Sequence, residues 1–266
     1  MRIVVTVKDV PDVSATRRLG ADGRLVRERA DSTLNELDEN AVQAAVDVAR
    51  ALGGEVVAVS MGPEQSLGAV RHALQLGADR GVLVTADALA GADALATATA
   101  LAAAVVADGG GTPDLVLCGM SATDGLTGLV PGALAAVLGV SAVTSVARLE
   151  VVGGALVAYR EPTIGVTERI EVPTPAVVSV TDAVNEPSVP GFKAILGAKK
   201  RPVARFGPDD LARGLAALGL DAEALASRTR VVHAGPRPER TDQVIVSDDG
   251  TAAAALATWL VDRHLV

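Results

Sequence analysis

Asp114-Leu-Val-Leu-Cys-Gly-Met-Ser-Ala-Thr-Asp-Gly-Leu-Thr-Gly-Leu-Val-Pro-Gly-Ala-Leu134 is the stretch that decides how the chain is read. Residues 115–118 are a short apolar run bounded by turn signals, the pattern of a buried strand. Gly119, Gly125 and Gly128 let the backbone turn tightly and approach a ligand, and Ser121, Thr123 and Thr127 supply hydroxyls beside them. A helical spacing follows, returning Leu129, Val130, Leu134 and Leu138 to one side. Strand, glycine-rich loop and helix N-terminus together form an anion site, because unpaired N–H groups and the helix dipole point at the loop.

Two standard phosphate signatures are absent. No Gly-Lys-Ser/Thr follows Gly119, and the glycines do not fall in the Gly-x-Gly-x-x-Gly spacing. A plain βα turn is the alternative that these residues alone leave open. Asp124 would repel a phosphate and fits better on a ribose, an adenine amino group or a free backbone N–H. The expectation is a site that holds a nucleotide without cleaving it.

Composition narrows the setting. Hydrophobic residues make up 49% of 266 residues and aromatics only 2%, so the core is built from Ala, Val and Leu. That favours helices on a Val-rich parallel sheet. A net charge of −8 argues against nucleic acid as a partner. The single Cys118 excludes an internal disulfide and a cysteine metal cluster, and its apolar strand marks it as a buried, inert thiol. His72, His233 and His264 show no metal-ligand spacing, so no metal site and no catalytic residue is expected. The first residues lack the apolar segment of a signal peptide and no apolar run reaches membrane-spanning length, so a cytoplasmic protein without membrane insertion is expected.

Taken in order, residues 3–7 form a continuous apolar strand, ended by Pro11 and Asp12. Residues 17–29 are polar and turn at Ala21-Asp22-Gly23, predicting a surface hairpin or excursion. Asn35 before Glu36, Asp38 and Glu39 predicts a capped helix running to about Leu52. Strands are predicted at 55–60 and 81–85, with helices from Pro63 to Gly77 and over 92–107. The order β-α-β-α-β-α-β-α over the first 140 residues implies a parallel sheet with right-handed crossovers. Ligands in such sheets bind beyond the carboxyl ends of the strands where the order reverses. Thr6-Val7-Lys8, Ser60-Met61-Gly62 and Gly119 should therefore converge.

Beyond Val143 the pattern changes to shorter β segments at 143–152, 155–159, 166–172 and 176–180, with Gly153-Gly154 as a hairpin turn. Residues 182–201 show neither period and predict a long loop. Pro208 opens another helical stretch, 227–246 is polar and irregular, and Asp248-Asp249 precede a last helix carrying Leu256, Trp259, Leu260 and Leu265. The expected division is a nucleotide-binding domain over 1–183, a loop over 184–201 and a C-terminal extension over 202–266 that reaches over a partner.

These features together resemble the beta subunit of electron transfer flavoproteins. Val7-Lys8-Asp9-Val10-Pro11-Asp12 is similar to that family's opening strand and turn. Asn35 with Asp38-Glu39-Asn40-Ala41 resembles its Asn-Pro-x-Asp-Glu-x-Ala segment, Glu36 replacing the proline. Ser60-Met61-Gly62-Pro63 and Leu76-Gly77-Ala78-Asp79-Arg80 match the next blocks, residues 185–200 the signature loop, and Pro238-x-Arg240-Thr241 the C-terminal segment. Departures are Ser121-Ala-Thr-Asp-Gly-Leu-Thr127, where the family has Gln-Ala-Ile-Asp-Gly-Asp-Thr, and Ser188-Val189 in place of Arg-Tyr.

The resemblance implies a Rossmann-like α/β fold of the adenine nucleotide alpha hydrolase-like type, with a partner-recognition loop and a C-terminal extension. It implies a heterodimer whose alpha subunit holds most of an FAD site, while this chain holds AMP structurally; some members bind a second FAD there and split electron pairs. Carried over residue by residue, the nucleotide site comprises Thr6, Asn35, Glu36, Leu37, Asp38, Met61, Gly119, Thr123, Asp124, Gly125, Thr127, Gly128, Leu129 and Val130. Acyl-CoA and related dehydrogenases are the implied electron donors and a quinone oxidoreductase the acceptor. Phe192 stands at the family's anchoring leucine, with Ile195 and Leu196 beside it; the alternative is that Phe192 packs onto its own sheet. Glu161 of Arg160-Glu161 stands where the family's glutamate meets an arginine of the alpha subunit, against the default of a solvated ion pair. Lys199-Lys200-Arg201 is a solvated run that can steer acidic partners. A non-redox adenine-nucleotide sensor is the rival reading, and the 185–200 segment is what separates the two.

Overall fold

The structure is a computed structural model that describes all residues except 28–30, 236–237, 240 and 242–243. Arg29 of the excursion and Arg240 of the C-terminal match therefore lie outside the described residues. The chain divides into two compact units, Met1–Val232 and His233–Val266.

The first unit is organised by β1 (Arg2–Thr6), which lies between β4 (Glu55–Met61) and β6 (Leu115–Gly119), parallel to both. β5 (Arg80–Val84) adds outside β4, and the nine-stranded order is β11-β5-β4-β1-β6-β10-β7-β8-β9. From β1 the chain builds one way through β4 and β5, then returns to place β6 on the other side. The order thus reverses between β1 and β6.

Helices cover both faces, as strands of unbroken apolar sequence require. On one face Ile3, Val5, Val56, Ala58, Leu115 and Leu117 meet α1 (Glu36–Leu52) and α2 (Leu67–Leu76). On the other, Val4, Val57, Val59, Val116 and Cys118 meet α3 (Ala94–Gly109), α4 (Val130–Leu138) and α6 (Pro208–Ala217). α3 is mostly alanine, which lets it lie close to its neighbours, and the Asp93 carboxylate caps it by accepting from Ala96 N at 2.9 Å.

β10 (Ala176–Val180) pairs in parallel with β6 and with β7 (Ser141–Val152), and β8 (Ala155–Thr163) and β9 (Val166–Glu171) extend the sheet as an antiparallel meander. Gly153 and Gly154 turn the first hairpin with φ of 61° and 86°, the left-handed pair that a two-residue turn demands.

Four expectations are corrected. β2 (Asp9–Pro11) continues past β1 and pairs antiparallel with β3 (Ser32–Leu34), so Pro11 closes a second small sheet. Pro63 opens a 3₁₀ turn (Glu64–Ser66), and α2 begins only at Leu67. Residues 182–201 are not a long loop, because Asp182–Val184 is a 3₁₀ turn and Phe192–Ala198 is α5. The boundary at 202 also moves: β11 (Val203–Phe206) pairs in parallel with β5, and Leu211 and Leu215 of α6 are core residues. Four residues of edge strand carry too little period to be recognised beforehand. In the second unit, α7 (Ala252–Asp262) follows a turn in which Asp249 accepts from Thr251 N at 3.0 Å, and Arg263 lies 4.5 Å over the Trp259 ring. Leu265 falls beyond that helix.

Candidate functional site

β1, β4 and β6 are neighbours in the sheet, and the sequence places a ligand site beyond their carboxyl ends. There the strand ends meet the first turn of α1. The Asp38 carboxylate accepts from Lys8 N at 2.8 Å and from Gly119 N at 3.3 Å, and so ties β1 to β6 across the point where the strand order reverses. Burial pushes this carboxyl up to about 7, against the opposing pull of its hydrogen bonds. Gly119 is required here: a Cβ would come within 2.5 Å of Asp38 Oδ1 and 2.8 Å of the Leu37 carbonyl carbon. The glycine thus serves the helix–strand contact, a reason that the sequence alone did not reveal.

Asn35 is fully buried and holds the loop itself. Its amide donates to Ser121 O at 3.1 Å and its side-chain oxygen accepts from Thr123 N at 3.0 Å. The expected side-chain cap is absent: Asp38 N and Glu39 N are accepted by the Asn35 carbonyl instead. A residue placed by the local pattern at a helix start is spent on a loop 86 residues away.

Asp124 also departs from expectation. Its side chain is completely covered, with Oδ1 on Lys8 Nζ at 2.8 Å and Oδ2 on Arg27 Nε at 3.0 Å. Burial pushes this carboxyl up, but the Lys8 and Arg27 charges outweigh it and hold it below the usual carboxylate range. Asp124 therefore fastens the loop to β1 and to the excursion, and offers no free oxygen to a ribose or an amino group. Lys8 and Arg27 were not singled out as site residues. Lys8 adjoined the opening strand, whereas nothing local marked Arg27.

The other residues divide by exposure. Thr6 is buried at the end of β1, Met61 packs toward the α3 face, and Leu37 is half-buried, while Glu36 is exposed at the start of α1. Gly125, Thr127, Gly128 and Leu129 form the exposed tip of the loop, and Val130 begins α4. Leu126 and Gly128 take positive φ of 51° and 60°. Pro131 sits in the first turn of α4, where its missing N–H removes no helical bond. The Ser60 hydroxyl at the end of β4 is buried and has no partner among the described residues. Helix first-turn amides, loop hydroxyls, two glycines and a buried hydroxyl without a partner among the described residues are groups of the kind a sugar–phosphate ligand uses. The Cys118 thiol is pushed up to about 12 by burial, so it stays protonated near neutrality.

The residues expected to meet a partner lie elsewhere. Phe192 opens α5 and is 77% exposed; Leu196 is exposed and Ile195 half-buried. Arg160 pairs with Glu168 at 2.6 Å across β8 and β9, and Glu161 is exposed, so the default Arg160-Glu161 pair does not form. Arg201 is no part of a solvated run, because it donates to Leu74 O at 2.7 Å and to Ala78 O.

The fold defines a class: a mostly parallel α/β sheet covered by helices on both faces, with a glycine-rich loop at its order reversal. The electron transfer flavoprotein domain matches residues 22–211. Relatives named electron transfer flavoprotein subunit beta align over nearly the whole chain. The Mycobacterium bovis protein is 34% identical over 275 residues, covering 99% of each chain. Those of Thermoanaerobacterium thermosaccharolyticum and Clostridium acetobutylicum are 36% and 34% identical, covering 100% of each. The chain belongs to the electron transfer flavoprotein family. No helix among the described residues is long and apolar enough to cross a membrane.

Proposed function

We propose that this chain is the beta subunit of a heterodimeric electron transfer flavoprotein, carrying electrons without catalysing a reaction of its own. In this reading an alpha subunit holds most of the FAD, which supplies the one-electron and hydride-equivalent chemistry. This chain holds one AMP beyond the strand ends and docks acyl-CoA and related dehydrogenases through Phe192, Ile195 and Leu196, with a quinone oxidoreductase as acceptor. The single observation that carries it is the loop 119–130 at the order reversal, fixed by Asn35 and Asp38, in a chain aligned end to end with relatives of that name. The polar sequence at 227–246 supports an extension that contacts the alpha subunit, and exposed Glu161 is the residue that meets an arginine there. Exposed apolar side chains at 189, 192 and 196, set among Lys193, Lys199 and Lys200, support docking of an acidic partner surface.

Acid release from the purified heterodimer, followed by chromatography, tests the site. About one AMP per chain is expected for a single site. A second FAD in its place would assign the electron-splitting variant, and recovery of no adenine compound would overturn the nucleotide assignment.

A further inference from the structure

We propose that Arg71 and Arg201 are positioning residues for partner docking, a reciprocal pair of guanidinium caps that holds α5 in its docking pose; this rests on the docking reading above. α5 has only seven residues, far below the length at which a helix persists alone, and its N-terminus has no side-chain cap. Only Ala198 of the helix is buried. Its order must come from its ends.

At the C-terminal end the two arginines exchange places. Arg71, from α2, donates to Ala198 O at 3.1 Å and Arg201 O at 2.8 Å, closing the end of α5. Arg201, just past α5, donates to Leu74 O at 2.7 Å and to Ala78 O, closing the end of α2. The Leu74 carbonyl is available because Gly77 N and Ala78 N both go to Ala73 O. A cation at a helix C-terminus meets the negative end of the dipole, and a guanidinium can serve two carbonyls at once. Each helix therefore lends the cap that the other needs.

The entry to α5 is pinned separately, to α1. Asn40 Nδ2 donates to Asn185 O at 2.9 Å, Asn185 Nδ2 returns a bond to Asn40 O at 3.1 Å, and Ser188 Oγ donates to Gln43 Oε1 at 2.8 Å. Between the two anchors Val189, Phe192 and Leu196 are 93%, 77% and 45% exposed. Apolar side chains held outward on a fixed backbone leave little ordering entropy to be lost at docking, whereas a loosened segment must be ordered by the partner.

The test uses the complete heterodimer with an acyl-CoA dehydrogenase as donor, comparing Arg71→Met and Arg71→Lys with wild type. Arg71→Met is expected to raise the KM for the flavoprotein about tenfold with kcat within about twofold. Amide exchange over 192–198 should quicken at least about tenfold while that over 120–129 holds. Arg71→Lys, which keeps charge and one donor direction, should fall between, and it carries the comparison if Arg71→Met does not assemble. Unchanged exchange over 192–198 overturns the proposal. So does a loosened helix with unmoved KM, in an assay where Phe192→Ala does raise KM. If Phe192→Ala itself leaves KM unmoved, the docking reading fails, and exchange alone decides whether the clamp exists.

Discussion

The loop at 120–129 and the helix at 192–198, proposed to meet a nucleotide and a partner, are held in place with different materials. The loop is tied by buried groups, Asn35, Asp38 and the covered Asp124 carboxylate, each bonded on both sides. The helix is tied at its end by partly exposed guanidiniums on carbonyl oxygens, and only its entry rests on a buried amide, that of Asn40. Losing a buried partner leaves a desolvated group unpaired, while losing a surface one lets water take its place. The loop should therefore fail together with the whole fold, and the helix should fail locally.

Gly119→Ala tests the first half of that contrast most severely. The new Cβ collides with Asp38 and with the Leu37 carbonyl, so α1 must move off the strand ends. A loss of about 3 kcal/mol in denaturant unfolding is expected, together with loss of bound nucleotide. Wild-type stability in this variant would mean that α1 is not wedged against β6.

Phe192→Ala tests the second half. An anchor that becomes fully buried at an interface contributes about 2 kcal/mol, so docking should weaken roughly 30-fold. Melting temperature and nucleotide content should hold, because the side chain lies outside the core. A fall of several degrees in melting with an unmoved KM would place Phe192 among the stabilising residues instead.

Asp38 sharpens the comparison through pH. Its carboxyl titrates at about 7 in the fold, well above its ordinary value of 3.8, because burial disfavours the charge. The native state then takes up the proton first, so the penalty for the buried charge is complete above pH 7 and is relieved as pH falls toward 4. Relative to the non-titrating Asp38→Asn, wild type should gain stability on acidification with a slope of up to ~1.4 kcal/mol per pH unit in that window. Parallel unfolding curves for the two proteins would show that Asp38 does not titrate there.

The smallest effect belongs to the meander. Arg160 and Glu168 are both partly exposed on β8 and β9. Glu168→Gln should change stability by less than about 0.5 kcal/mol, and less still at high salt. A larger loss would reveal a buried network on that edge of the sheet.

Local order explains how much of this was legible beforehand. Glu36–Leu52, Ala94–Gly109 and the strands around them carry full helical or apolar periods, so their existence followed from 3.6-residue and continuous patterns. The loop announced itself through glycines and hydroxyls after a strand. Asn35 was found for the wrong reason, since a cap and a long-range loop tether call for the same side chain. Asp124 was given a ligand's role because the cations that cover it come from positions 8 and 27. α5 and β11 were missed because seven and four residues are too few for a period to register.

The sequence by itself determined the alternation of strand and helix, the alanine–valine core, the glycine-rich loop after β6 and the family, because all of these are written in neighbouring residues. Tertiary structure alone decided which polar side chains hold the frame. That distinction rests on partners 81 to 127 positions away: Asp38 on Gly119, Asn35 on Ser121, Asp124 on Lys8, Arg71 on Ala198. A side chain's chemistry is fixed by its own atoms, but its role is fixed by what folding brings within about 3 Å of it, and no local pattern encodes that.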